Sequence, residues 1–234
     1  NTNLPLHSSG KNAPNFYPPM NKYLTEFIGT FFLSLTAILA TSGNYSALAP
    51  LAIGAVLIGL TGIGWDISGA HYNPVVSLAL LIRGKMERGN ILYYLAAQGL
   101  GAVFAGSIAV FLMQSSLESI PEIEPRQNAG LPATIAEFLG ALAWSTAVLS
   151  AVLKNENATR SSLLIGMIVL GLGVAFRDIS GALFNPAIAI AYMIAGMAFW
   201  SDLVLYVVGP LLGAGATASV FYLADRVQQD EFKI

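Results

Sequence analysis

Asp66-Ile67-Ser68-Gly69-Ala70-His71-Tyr72-Asn73-Pro74-Val75 returns later in the chain as Asp178-Ile179-Ser180-Gly181-Ala182-Leu183-Phe184-Asn185-Pro186-Ala187. Each copy closes a long apolar run and opens a shorter one, near 73–83 and 185–195. A helix of that length reaches roughly 16 Å, about half the hydrocarbon thickness of a bilayer. Proline suits the first helical position, where its missing N–H has no partner to lose, and asparagine is a strong N-cap. Each Asn-Pro therefore reads as a helix start that follows a glycine-containing turn. A helix start at membrane depth is tolerated where the backbone is buried in protein or lines a watery cavity.

Working outward, the 234-residue chain is 55% hydrophobic and 10% charged. Soluble domains carry about 25% charged residues, so this composition points to a membrane. Six segments have the length and apolarity of a spanning helix, roughly 22–42, 46–65, 91–113, 132–153, 161–176 and 201–224. Residues 1–21 are polar and proline-rich without the apolar core of a signal peptide, and read as a flexible cytoplasmic tail. Residues 225–234 read as a second, C-terminal tail. Lys11, Lys22, Arg83, Lys85, Arg88, Lys154, Arg160, Arg226 and Lys233 fall on one side if both termini are cytoplasmic, leaving Arg126 and Arg177 opposite. The 114–131 loop, with Glu118, Glu122 and Glu124, reads as an outer loop.

The two halves, 22–113 and 132–224, are one pattern used twice. Glu26-Phe27-Ile28-Gly29 matches Glu137-Phe138-Leu139-Gly140, and Tyr94 through Ala102 matches Tyr206 through Ala214. Three full spans per half is an odd number, so the second half is inverted relative to the first. Inversion brings the two Asn-Pro helix starts to the same depth, with two positive dipole ends facing one point. That predicts a narrow polar path with a cation-repelling centre. Each asparagine amide would donate to a passing oxygen while its own carbonyl is held by local backbone.

On these residues, from Ser68 through Val75, Ser180 through Ala187, the two Glu-Phe-aliphatic-Gly stretches, and Tyr206-Val207-Val208-Gly209-Pro210-Leu211-Leu212-Gly213-Ala214, the chain resembles the aquaporins, or major intrinsic proteins, over nearly all of 22–224. The resemblance implies an all-α hourglass of six transmembrane helices and two re-entrant half-helices, one pore per subunit, and a homotetramer. It implies a pore constriction at Asn73, Pro74, Val75, Asn185, Pro186 and Ala187, where the first copy carries Val75 in place of the family's alanine. Counted by the family's spacing, the outer filter falls on Ile53, Gly173, Ala182 and Ile188. Most members place an arginine at the last of these. The set here is small and apolar, which argues against a strict water filter and for a wider mouth.

Arg177 lies four residues after Gly173 and shares a helix face with it if that helix continues. One reading has Arg177 reach into the space beside Gly173 and replace the missing guanidinium. The other, preferred on general grounds, has it snorkel to headgroups or pair with Asp178 or Asp202. Glu26 and Glu137 sit inside spanning helices, where a carboxylate must be satisfied. They are either proton-coupling groups or structural supports of the half-helix loops, and their symmetric placement favours support. His71 is read as packing the loop and lining the inner vestibule, ahead of a pH gate. Asp66 and Asp178 are expected to bond local backbone, and Trp144 to fill space.

Cysteine is absent, and the two histidines, His7 and His71, are far apart, so no metal site is expected. No phosphate loop or nucleophile–base pair appears, no cofactor is implied, and a net charge of −2 without a basic block gives no reason to expect nucleic acid. The expected function is a passive channel for water and small uncharged solutes, glycerol-like, in a plasma or bacterial inner membrane. The rivals are a secondary transporter coupled through Glu26 and Glu137, and a non-conducting structural membrane protein.

Overall fold

The structure is a computed structural model that describes the backbone of residues 20–114 and 130–231, and the side chains of 22–114 and 130–227. The tail expected over 1–21 and the acidic loop expected over 114–131 lie almost wholly outside the described residues. The described residues form helices α1 (Met20–Ser42), α2 (Ala49–Ser68), α3 (Pro74–Ile82), α4 (Ile91–Gln114), α5 (Gly130–Leu153), α6 (Ala158–Ser180), α7 (Pro186–Ile194) and α8 (Leu203–Glu231). Six of them are long and apolar enough to cross a membrane; α3 and α7 are nine-residue stubs.

Several boundaries move outward from those read in the sequence, for local reasons. The second and fifth spans run on to Ser68 and Ser180, because each ends at a left-handed glycine, Gly69 (φ +84°) and Gly181 (φ +87°), whose N–H closes on Trp65 and Arg177 carbonyls. Asn157 starts α6 earlier than expected by accepting from Arg160 N–H at 2.9 Å. The stretch from 225 continues α8 to Glu231. There Arg83, at the C-terminus of α3, pairs with Asp225, and Arg226 rests on Tyr222.

The halves interlock. Within each, the first and last long helices run together, α1 with α4 and α5 with α8, while α2 crosses α6 between the halves. Stub α3 of the first half packs on α8 and α5 of the second, and α7 packs on α4 and α1, so the pattern maps onto itself when the halves exchange. Lipid supplies little apolar driving force between helices, so close backbone approach at small residues holds them. A Cβ on Gly101 would meet the Phe27 carbonyl oxygen at 2.5 Å, and one on its repeat-mate Gly213 the Phe138 oxygen at 2.5 Å. Large apolar side chains that remain exposed, such as Leu92, Phe111, Ile63 and Leu223, face outward as a lipid-facing surface requires. Trp144 is fully buried, as expected of a packing residue.

Loops at one end of the bundle include residues 43–48, and we call that end the first mouth; the loops at 83–90 and 154–157 mark the second. Gly213→Val puts its branch into the backbone of α5, so it should destabilise the protein by about 1–3 kcal/mol. Gly99→Ala, with nothing within 4 Å of the added carbon, should be neutral. Thermal midpoints of the two variants in detergent check the contrast.

Candidate functional site

Two loops descend from the ends of α2 and α6 and turn into α3 and α7. In both, the serine at the helix end caps the turn. Ser68 Oγ and Ser180 Oγ accept from Ala70 N–H and Ala182 N–H at 3.1 Å each. The expected backbone bonds of Asp66 and Asp178 do not form; these carboxylates point outward while the shorter serine side chains reach the turn. Ala70, Tyr72, Ala182 and Phe184 hold positive φ, the same two positions in each copy. Such non-glycine conformations cost about 1–3 kcal/mol each and persist where the surroundings over-determine them.

The surroundings are two carboxylates. Glu26 accepts from His71 N–H (2.9 Å), Tyr72 N–H (2.7 Å), Ser68 Oγ (2.7 Å) and Gln98 Nε2 (2.8 Å). Glu137 accepts from Leu183 N–H (3.0 Å), Phe184 N–H (2.5 Å) and Ser180 Oγ (2.6 Å). Tyr94 and Tyr206 complete each cradle by donating to the carbonyls of Ser68 (2.7 Å) and Ser180 (2.8 Å). The carboxylates are thus occupied by the loops, and a proton-coupled transporter is not favoured.

At the tips, Asn73 and Asn185 cap the stubs, their Oδ1 atoms accepting from Val75 N–H (3.0 Å) and Ala187 N–H (2.9 Å). Each amide then crosses to the opposite loop. Asn73 Nδ2 donates to the Phe184 carbonyl at 3.0 Å and Asn185 Nδ2 to the Tyr72 carbonyl at 2.9 Å. An amide nitrogen carries two protons, so one on each asparagine remains. Pro74 and Pro186 occupy the first helical positions, and Val75 and Ala187 are fully buried beside them.

The copies differ where their packing demands it. Tyr72 places its hydroxyl against Gly64 and donates to the Leu60 carbonyl at 2.9 Å. Phe184 lacks that hydroxyl, and Phe176 meets it edge to face at 6.1 Å. His71 is 6% exposed, with Nδ1 2.9 Å from Ser77 Oγ and its ring 4.9 Å from that of Tyr94. Ser77 in turn accepts from Gln98 at 3.0 Å, so His71 is held inside a polar cluster.

The first mouth opens into a cavity of about 710 Å³ whose wall includes Ile53, Gly173, Ala182 and Arg177. Ile188 lies apart from that wall, packed in the core at 2% exposure, as an isobutyl-sized group with no polar function settles among neighbours. The space beside Gly173 is taken by Pro50, 3.1 Å from where a Cβ would stand. Arg177 accordingly turns elsewhere, donating from Nη1 to the Ser46 carbonyl at 2.7 Å, with Nε 3.9 Å from Asp178 Oδ1. Tyr192 and Thr41, which no sequence motif marks, also reach this wall; their hydroxyls lie 2.9 Å apart and both donate toward the Ala37 carbonyl. No grouping of three or more metal-ligating side chains occurs among the described residues.

A sequence profile described as "MIP: Major intrinsic protein" matches residues 11–222. A glycerol uptake facilitator protein-like protein of Lactiplantibacillus plantarum is 30% identical, over 83% of this chain and 94% of its own. Aquaporin AqpM of Methanothermobacter thermautotrophicus is 27% identical, over 85% and 94%. The aquaglyceroporin from Plasmodium falciparum superposes with a TM-score of 0.69 at 23% identity, covering 87% of this chain and 96% of that one, which shows the shared fold.

Ser180→Ala removes both the cap of its turn and a bond to Glu137. It should destabilise the protein by about 1–3 kcal/mol through the buried groups left unpaired. Gly64→Ala should lower stability because its methyl strikes the Tyr72 hydroxyl, and Tyr72→Phe should recover part of that loss. A double-mutant cycle of thermal midpoints in detergent measures the coupling.

Proposed function

The chain belongs to the major intrinsic protein family and is a channel for water and small solutes, and we propose that it conducts them passively through the Asn73–Asn185 throat and admits glycerol-sized neutral molecules. The observation that carries this reading is the reciprocal bond of each asparagine to the opposite loop, which fixes both amides at one depth with a proton to spare. The spare N–H of Asn73 and that of Asn185 donate to a passing oxygen. A water held by both directs its own protons outward, which interrupts a proton wire. The N-termini of α3 and α7 add two positive dipole ends at the same place, opposing cations.

In this reading Asn73, Pro74, Val75, Asn185, Pro186 and Ala187 form the constriction. Ile53, Gly173 and Ala182, with Ile188 behind them, form an apolar rim. Those four residues offer a solute no side-chain hydrogen bond, so an ion that shed its water against them would be poorly compensated for its lost hydration. A neutral solute loses less. The relative named for glycerol uptake supports placing polyols within range of this rim. Glu26, Glu137 and His71 act as supports of the loops. The first mouth faces outward, with both termini cytoplasmic, in a plasma or bacterial inner membrane, and the protein assembles as a homotetramer. It performs no catalysis.

Stopped-flow light scattering of proteoliposomes tests the reading. Water and glycerol flux should exceed that of protein-free liposomes, rise linearly with the gradient, ignore an imposed pH gradient, and resist thiol-directed mercurials, since the chain has 0 cysteines. Saturating or proton-driven flux would instead establish a transporter, and absence of any flux a structural protein.

A further inference from the structure

We propose that Arg177 is the residue that selects solutes at the first mouth, and that it does so from a latch whose counterpart at the second mouth is Trp65. The inference rests on the channel reading and adds to it a donor that the apolar rim lacks. Trp65 stands immediately before Asp66 and Arg177 immediately before Asp178, so the two occupy one position of the repeat. They also do one job. Trp65 Nε1 donates to the Glu156 carbonyl at 3.2 Å, in the loop that leads into α6. Arg177 Nη1 donates to the Ser46 carbonyl at 2.7 Å, in the turn that leads into α2. Since α2 and α6 cross, the last turn of each clips the lead-in of the other. Both helices supply positions of the channel wall, so the clips hold its two mouths.

The side chains differ in what is left over. An indole has one N–H, and the latch consumes it. A guanidinium has five, and the Ser46 carbonyl takes one. Asp178 does not take a second at bonding distance, lying 3.9 Å from Nε with its own side chain 82% exposed. The remaining donors stand in the wall that Arg177 shares with Ile53, Gly173 and Ala182, none of which has a polar side chain. Of the other polar groups in that wall, the Asp202 carboxylate, whose Oδ2 lacks a partner among the described residues, accepts rather than donates, and several hydroxyls are committed elsewhere. The hydroxyls of Thr41 and Tyr192 are directed to the Ala37 carbonyl, and that of Tyr206 to the Ser180 carbonyl. Arg177 therefore offers N–H groups to the acceptor oxygens of a neutral polar solute as it sheds water at the rim. A polyol gains more from this than water does, because it has more oxygens to desolvate.

The repeat itself supplies the discriminating variant. Arg177→Trp installs the residue that forms the same latch at the other mouth and removes the spare donors; Arg177→Ala removes both. Water and glycerol permeabilities of proteoliposomes are measured for wild type and both variants, with amide hydrogen exchange of residues 43–48 as the readout of the latch. In both variants the glycerol-to-water permeability ratio should fall about fivefold, the scale of one charge-assisted hydrogen bond at a partly exposed site. Exchange over 43–48 should accelerate in Arg177→Ala and stay near wild type in Arg177→Trp. A ratio that holds in both variants, whatever happens to total flux, overturns the inference and leaves the channel reading standing. So does a ratio that falls in Arg177→Trp alone, since that reports the bulk of the indole. A wild-type protein that passes neither water nor glycerol removes the channel reading and this inference with it.

Discussion

A helix that begins inside a bilayer leaves its first backbone N–H groups, and the turn before them, with no water to bond. This chain meets that constraint with two buried carboxylates. Glu26 gathers the amides of His71 and Tyr72, and Glu137 those of Leu183 and Phe184, while Ser68 and Ser180 tie the turns to the same acids. Both carboxylates are fully buried, where an unpaired charge would be prohibitive. Amide and carboxylate thus each remove the other's cost. The positive-φ residues at 70, 72, 182 and 184 are tolerable because these bonds leave the loops little alternative.

From those cradles follows the position of the asparagines. Once Tyr72 and Phe184 are fixed by their N–H groups, their carbonyls point across the midline and become acceptors for Asn185 and Asn73. The meeting point of the two asparagines, the proposed throat, is therefore built by exchange between halves, each loop supplying the acceptor for the other's amide. Neither half can form it alone. The packing of α3 on α8 and α5, and of α7 on α4 and α1, serves the same end by embedding each stub in the opposite half.

Within this symmetry the departures are informative. Gly64 makes room for the Tyr72 hydroxyl, and Phe176 fills the matching place beside Phe184, so one change compensates the other. Gln98 extends the first cradle toward Ser77 and His71; its repeat-mate is Pro210, which has no such side chain. Trp65 and Arg177 keep a shared latch and differ in charge. Packing constraints are met twice by different residues, and polarity is thereby free to differ between the two mouths.

Much of this was legible in the chain. The doubled Asn-Pro before short apolar runs implies two stub helices, because a proline and an N-cap carry their meaning locally. Apolar runs of spanning length imply the bundle, and the odd number of spans per half implies its inversion. The matched placement of Glu26 and Glu137 in the two halves favours reading them as supports. Partners across the fold were a different matter. Nothing local says that Gln98 bonds Glu26, that Tyr192 meets Thr41, that Ile188 settles in the core, or that Arg177 turns to the Ser46 carbonyl. Those depend on which helix faces pass within a few ångströms of each other. Local chemistry determined the elements and their order; the choice of acceptor for each donor belonged to tertiary packing, since a hydrogen bond between distant residues exists only once the backbone has brought them within reach.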